Sequence, residues 1–85
     1  MEDLSQFVAE NPDVVAIALP DKPHIQKLKV SCSQCGHLIR RGGNAPKTRL
    51  VHIACNHCSV QGTLVFASDC RHVLGYIGDF DFDLI

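Results

Sequence analysis

The sequence predicts a small α+β domain, in which an antiparallel β-sheet follows an N-terminal helical segment. Two observations indicate that this domain needs more than its core for stability. The chain has 85 residues, few aromatic side chains and no tryptophan, and so small a domain rarely folds on a hydrophobic core alone. Its five cysteines are an odd number, which does not suit a closed set of disulfides. We therefore expect a single metal-stabilised domain.

The first segment, residues 1–21, is predicted to begin with a helix. Leu4, Phe7 and Val8 follow the i, i+3, i+4 spacing of an apolar helix face. The sequence Asn11-Pro12-Asp13 predicts a helix stop and a fresh start, with Asn11 as cap and Pro12 in the first turn. Residues 14–19 form an apolar run without decisive periodicity, so a short helix and a buried strand are both open.

The second segment, residues 22–68, is predicted to form the sheet. One apolar stretch lies before and one lies after each of the two cysteine pairs. These stretches are Ile25 to Val30, Leu38-Ile39, Leu50 to Ile53 and Thr63 to Phe66, with a turn-rich loop at residues 42–46. Each cysteine pair is therefore expected in a turn between two strands.

The cysteine pairs have the spacing of a four-cysteine zinc site. Cys32 and Cys35 form one C-x-x-C pair, Cys55 and Cys58 form the other, and 19 residues separate Cys35 from Cys55. Two intervening residues allow a tight turn to direct both sulfurs to one point, and backbone amides of the turn can donate to the sulfurs. Two such turns complete a tetrahedron of thiolates. We predict one structural Zn²⁺ held by these four cysteines.

Two alternatives for the cysteines remain open: pairs without metal, reduced or disulfide-bonded, and a thioredoxin-like redox role. The redox motif belongs at a helix start in a βαβ unit, which fits this pattern poorly. Potential further ligands are predicted to lie outside the site, because four thiolates already close it; they are His37, His52, His57, Cys70 and His72. A closed site has no open position for a substrate, so we predict no enzyme activity and no small-molecule substrate.

The motif Cys32-x2-Cys35-Gly36, with Cys55-x2-Cys58 and flanking strands, resembles the zinc-ribbon superfamily. Two groups of small phage regulators are also similar over about residues 30–77. The Com-like translational activators have the same order of features: a C-x-x-C pair, two aliphatic residues, a strand and a second C-x-x-C pair. In this chain the features are Cys32–Cys35, Leu38-Ile39, Val51-His52-Ile53 and Cys55–Cys58. The Ogr/Delta late-transcription activators have counterparts of residues 63–66 and 73–77, although their second pair is spaced differently. These resemblances imply a zinc-ribbon antiparallel β-sheet and a role in transcriptional or translational regulation.

Charge is segregated along the chain. Residues 22–68 contain seven Lys and Arg and no Asp or Glu, whereas residues 1–21 carry −5 and residues 69–85 carry −3. Such asymmetry indicates an anionic partner, and we predict phosphate contacts with DNA or RNA by Lys27, Lys29, Arg40, Arg41, Lys47 and Arg49. The alternative is a solvated face that keeps the protein soluble. Phe66 is the segment's only aromatic residue, which disfavours binding of single strands by base stacking.

The third segment, residues 69–85, ends in an alternation of aspartate and apolar residues, from Phe80 through Asp81, Phe82 and Asp83 to Leu84. One interpretation is an edge strand that packs its apolar face on the sheet. The other is an exposed tail that binds a partner protein, or that folds onto the basic segment and competes with nucleic acid. The alternative function is therefore a protein-interaction adaptor or inhibitor that acts through these residues or the N-terminal helix.

The sequence favours a cytoplasmic protein. The residues that follow Met1 lack the basic and apolar regions of a secretory signal. No apolar run approaches the roughly 20 residues that cross a bilayer, so no membrane partner is expected. In a reducing compartment, paired cysteines bind metal more often than each other.

Overall fold

The computed structural model describes residues 4–85, which form one short helix and seven strands. The strands are β1 (Ile17–Ala18), β2 (Leu28–Cys32), β3 (Leu38–Arg41), β4 (Leu50–Ala54), β5 (Gln61–Phe66), β6 (Val73–Ile77) and β7 (Phe80–Leu84). The helix is α1 (Leu4–Glu10), and one turn of 3-10 helix spans Ile25–Lys27. Residues 1–3 of the predicted N-terminal segment lie outside this range. No helix within it is long and apolar enough to span a membrane.

The strands form two antiparallel sheets, where the sequence suggested one. The larger sheet has the order β1-β6-β5-β4, and the smaller has the order β3-β2-β7. The difference arises in the third segment, because β6 pairs with β5 while β7 leaves it and pairs with β2. The hairpin β2–β3 and the hairpin β4–β5 therefore belong to different sheets.

The main core lies between the two sheets, and α1 covers the outer face of the larger one. Buried residues of β2, such as Leu28 and Val30, pack in one cluster with Leu64 and Phe66 of β5. Because successive side chains of a strand point to opposite faces, Val65 packs on the other side in a second cluster with Leu4. The result is a helix, a four-stranded sheet and a three-stranded sheet in three layers.

The N-terminal predictions are confirmed in part. The helix is present, and Asn11 ends it, since its backbone N–H and its Nδ2 both donate to the carbonyl of Phe7 at 3.1 and 2.9 Å. No new helix begins at Pro12. Of the two alternatives for residues 14–19, the strand is present as the two residues of β1, which pair with β6. This strand is exposed rather than buried.

The alternation at residues 80–84 forms an edge strand, the first of the two interpretations. Phe80 lies opposite Cys32 and Phe82 lies opposite Val30, both of which are buried. Asp81 and Asp83 point to the outer face and are exposed. The apolar residues therefore attach β7 to the core at its Phe80 end, while Leu84 at its other end remains 63% exposed.

Candidate metal centre

The four predicted cysteine ligands lie together where the two hairpins meet. Cys32 is the last residue of β2 and Cys35 lies in the turn to β3, whereas Cys55 follows β4 and Cys58 lies in the turn to β5. Their Sγ atoms all lie within 4.8 Å of one another. One hairpin comes from each sheet, so an ion held here joins the two sheets.

The spacing of the sulfurs fits a tetrahedral metal ion. The Sγ atoms of Cys32 and Cys58 are 3.3 Å apart, those of Cys35 and Cys55 are 3.4 Å apart, and those of Cys35 and Cys58 are 4.0 Å apart. A zinc–sulfur bond of about 2.3 Å in a tetrahedron gives a sulfur–sulfur edge of about 3.8 Å. The observed distances lie on both sides of this value. The cluster is therefore compatible with a structural zinc ion.

Backbone amides in both turns donate to the sulfurs, as the spacing predicted. The N–H of His57 donates to Cys55 Sγ at 3.4 Å. Amides of Cys35, His37 and Val60 donate to Cys32, Cys35 and Cys58 respectively. Such donors reduce the negative charge on bound thiolates, so both turns are shaped to stabilise four sulfur ligands.

The pKa values of the Cys32 and Cys58 thiols shift in opposite directions because the two sulfurs lie in hydrogen-bonding contact. The amide of Cys35 lowers the pKa of the Cys32 thiol to about 7, assisted by a hydrogen bond with Cys58. The amide of Val60 acts in the same sense on Cys58, but hydrogen bonding with Cys32 and desolvation outweigh it and raise the pKa of Cys58 to about 12. The cluster without metal thus holds protons that metal binding would release.

The first turn depends on a glycine and the second does not. Gly36 has a φ of 75°, a conformation that L side chains rarely adopt. A Cβ at this position would meet no atom within 4 Å, so the requirement is for backbone conformation alone. Ser59, the matching residue of the second turn, is not among the positive-φ residues of the described chain. The two turns therefore differ in shape while presenting the same ligands.

The histidines lie outside the cluster, as predicted, but two of them form a contact that the sequence did not reveal. The rings of His37 and His57, one from each turn, are in contact with their centroids 4.0 Å apart and their planes tilted by 41°. His52 contacts Gln61, and His72 hydrogen-bonds Asp69. The sequence signal for this contact was the place of one histidine in each turn, which does not determine whether the two rings meet.

Cys70 is also separate from the cluster, as predicted. It is half-buried in the loop between β5 and β6, with a φ of 56°. Its backbone N–H donates to the carbonyl of Ala67 at 2.9 Å. Cys70 is therefore a thiol outside the candidate metal centre and is suitable as a control position.

Two of the six predicted phosphate-binding residues lie side by side. Lys29 of β2 is directly opposite Arg41 of β3, and both point to the outer face of the smaller sheet. Lys27 lies just before β2 and is exposed. On the other side of Lys29, Asp83 of β7 is its direct partner. The outer face therefore carries a basic stripe with an acidic strand beside it.

The other three residues lie elsewhere. The Arg40 guanidinium folds into the following loop, where it donates to the carbonyls of Gly42 at 3.0 Å and Asn44 at 2.6 Å. Arg49 donates through Nε to the carbonyl of Phe66 at 3.2 Å. Lys47 is exposed in the loop between β3 and β4. Arg40 and Arg49 thus use part of their donor capacity to hold the fold.

Comparison of the chain with protein-family models, with curated proteins and with solved structures gives no match in any of the three. The zinc-ribbon and phage-regulator resemblances therefore stay predictions. The functional interpretation depends on the site geometry described above.

Proposed function

We propose that this chain is a non-enzymatic protein that binds one structural zinc ion and contacts the phosphates of DNA or RNA, in transcriptional or translational regulation. The single observation that carries the nucleic-acid proposal is the pairing of Lys29 with Arg41 on the outer face of the smaller sheet. Lys27, just before β2, and Lys47, in the loop between β3 and β4, are further exposed cations.

Zinc is the metal that best suits the cluster. Four thiolates in a tetrahedral arrangement select zinc or an iron–sulfur centre, and two C-x-x-C turns joined by hairpins are typical of structural zinc sites. Four protein ligands complete the coordination of zinc, so the ion supplies folding energy and leaves no position for a substrate. This supports the non-enzymatic proposal.

The basic stripe suits phosphate binding because it combines adjacent charge with free donors. Lys29 and Arg41 are cross-strand neighbours of like charge, an arrangement that destabilises a sheet unless an anion lies between or beside them. Asp83 is the cross-strand neighbour of Lys29 on the β7 side. A phosphate group would supply an anion on the β3 side, where Arg41 is exposed.

Salt-dependent binding tests this proposal. We expect fluorescently labelled DNA or RNA of about 20 nucleotides to bind at low salt, with log affinity falling by about 0.7–0.9 per phosphate contact for each unit of log salt. The double variant Lys29→Gln/Arg41→Gln should weaken binding and reduce that slope by roughly 2. Arg71→Gln, outside the basic segment, is the matched control and should leave the slope unchanged.

A second variant tests the acidic strand as a competitor. Asp83→Asn removes the anion opposite Lys29 without removing β7 from the core, so we expect tighter binding of nucleic acid at low salt. Equal affinity of Asp83→Asn and the wild type would exclude self-competition at this position. Absence of any binding to DNA or RNA at about 50 mM salt would exclude the nucleic-acid function.

The adaptor function is favoured by a different observation. The outer strand β7 carries Asp81 and Asp83 on its exposed face and has no strand on its other side within the described residues. Under this alternative, the partner is a protein and residues 80–84 form the contact. Binding of a basic partner that is unaffected by Lys29→Gln/Arg41→Gln would support it over nucleic-acid binding.

A further inference from the structure

Among the described residues, the backbone groups at the outer edge of β7 have no partner strand. Next to β7, the N–H of Ile85 donates to the carbonyl of Lys27 and the N–H of Ser33 donates to the carbonyl of Asp79, at 2.8 and 3.2 Å. Hydrogen-bonded and non-hydrogen-bonded pairs alternate along an antiparallel ladder. Asp81 and Asp83 therefore bond to β2, whereas Phe80, Phe82 and Leu84 direct their N–H and C=O groups away from it.

This edge lacks several of the features that usually protect an exposed strand. Proteins block edges with charged side chains, above all lysine, and with proline, bulges or covering segments. The charged residues of β7 are Asp81 and Asp83, which a basic segment would neutralise. The sequence of β7 contains neither lysine nor proline, and its register with β2 is regular over all five pairs. By contrast, β3 carries two arginines and an irregular register, and β1 has only two residues. The edge of β7 is thus well suited to accept another strand.

A cavity of about 210 Å³ adjoins this edge on the inner face of the sheet. Leu19, Pro20, Leu28, Phe82 and Leu84 provide its apolar lining. It is smaller than the roughly 300–1,000 Å³ of a typical small-molecule site. A strand added beside β7 would place alternate side chains on this face, so the cavity has the position and size to hold one apolar side chain.

Charge indicates what kind of strand fits. Asp21 also lines the cavity, and no Lys or Arg of the described residues does. Asp81 is exposed on the outer face with Ser31 as its only cross-strand partner. On its paired side, β7 contacts β2, in which Lys29 stands between two apolar residues and lies opposite Asp83. A strand added at the free edge would meet the same acidic outer face and apolar inner face of β7.

We propose that the free edge of β7 binds an extended basic segment of a partner protein as a fourth strand of the smaller sheet, with an apolar side chain in the cavity beside Phe82 and Leu84. The main-chain bonds supply affinity, and the cavity and aspartates select a segment that alternates apolar residues with Lys or Arg. This inference rests on the alternative adaptor function and is independent of nucleic-acid binding.

The probe is a labelled nine-residue peptide that alternates lysine with valine and has a central leucine, measured by fluorescence anisotropy against the zinc-loaded protein. A matched peptide with glutamate in place of lysine should not bind. The variant Leu84→Pro removes an outward N–H while leaving every bond to β2, so it should weaken binding by about 2- to 13-fold, the range for one net hydrogen bond. Leu84→Thr keeps the N–H and is its control for loss of the leucine side chain.

The outcomes separate the inference from the two functions. Weaker binding in Leu84→Pro than in Leu84→Thr, with unchanged zinc content and circular dichroism, supports strand addition. Binding that survives Leu84→Pro but falls in Asp81→Asn overturns strand addition and leaves an adaptor that uses the acidic face. Absence of binding to the basic peptide overturns the inference. A wild-type protein that is dimeric and becomes monomeric in Leu84→Pro also overturns it, because the edge then binds a second copy of this chain. Nucleic-acid affinity should be the same in all of these variants except Asp81→Asn.

Discussion

Replacement of Cys35 by serine provides the sharpest test of the metal centre. Cys35 is exposed, whereas Cys32 is fully buried among core residues. Cys32→Ser would place a hydroxyl in the core as well as remove a ligand. Cys35→Ser removes a ligand and leaves the core unchanged. We expect the Cys35→Ser protein to lose its bound zinc at neutral pH and to lose its cooperative fold.

The expected loss of stability follows from a comparison of the zinc-binding free energy with the free energy of unfolding of a chain of this size. Net stabilities of roughly 0.05–0.15 kcal/mol per residue give about 4–13 kcal/mol for 85 residues. Structural zinc sites contribute an apparent free energy of about 10–16 kcal/mol at pH 7. The contribution of the ion is therefore as large as the whole expected stability, and the metal-free chain should be largely unfolded. The position of the cluster between the sheets supports this, because no disulfide links the sheets among the described residues.

The assay combines zinc analysis with two-dimensional amide NMR. The wild type should contain one zinc ion per chain and show dispersed amide signals, which collapse on addition of a strong chelator and return with zinc. Cys70→Ser is the matched control, since Cys70 lies outside the cluster, and it should keep both the ion and the dispersion. A chelated protein or a Cys35→Ser protein that retains dispersed signals and a cooperative unfolding transition would refute a structural role for the metal.

Two further predictions concern stability away from the ion. Gly62→Ala places a Cβ against the carbonyl oxygen of Ile77 and 2.5 Å from Phe80 Cε2, so we expect a loss of about 1–3 kcal/mol or more from overpacking; urea unfolding should show it with one zinc per chain retained, and an unchanged midpoint would contradict it. Asp69 accepts hydrogen bonds from the amides of Arg71 and His72 and from the His72 ring, which hold the pKa of its carboxyl well below its usual range, with the Arg71 amide the largest cause. Its stabilising effect is therefore present above the unfolded pKa of about 4 and lost as pH falls through the folded pKa. Asp69→Asn should lower the urea unfolding midpoint by the same amount at pH 7 and at pH 8. A decrease that differs between these two pH values would show that the loss of stability comes from another titrating group.

The sequence predicted local structure well because the relevant signals are local. The spacing of Cys32, Cys35, Cys55 and Cys58 specifies two turns, and the apolar stretches beside them specify the strands that carry the turns. The helical spacing of Leu4, Phe7 and Val8 likewise needs no distant contact. The same local patterns did not reveal two sheets. Alternation in residues 80–84 determines which face is apolar, but not whether the neighbour is β6 or β2.

Charge was the feature that the sequence could least place in space. The basic and acidic segments are separate along the chain, which suggested a basic surface between two acidic ends. In the fold, Asp83 lies directly opposite Lys29, so opposite charges from the two segments become neighbours. Arg40 and Arg49 also turn toward backbone carbonyls rather than solvent alone. Of the six predicted phosphate-binding residues, only Lys29 and Arg41 form a cross-strand pair, a result of β-sheet register that composition cannot supply.

The same register connects the metal centre to both proposed surfaces. Cys32 is a cysteine of the cluster and the direct partner of Phe80, which is buried in the core cluster that also contains Cys55. Displacement of Cys32 would therefore move Phe80, and with it the alignment of Asp83 with Lys29 three residue pairs further along. A metal ion held by the cluster would fix the register on which the basic stripe depends, and it would hold in place the strand whose edge remains free. Loss of the metal should accordingly abolish nucleic-acid binding and peptide binding together, although no cysteine lies in either surface.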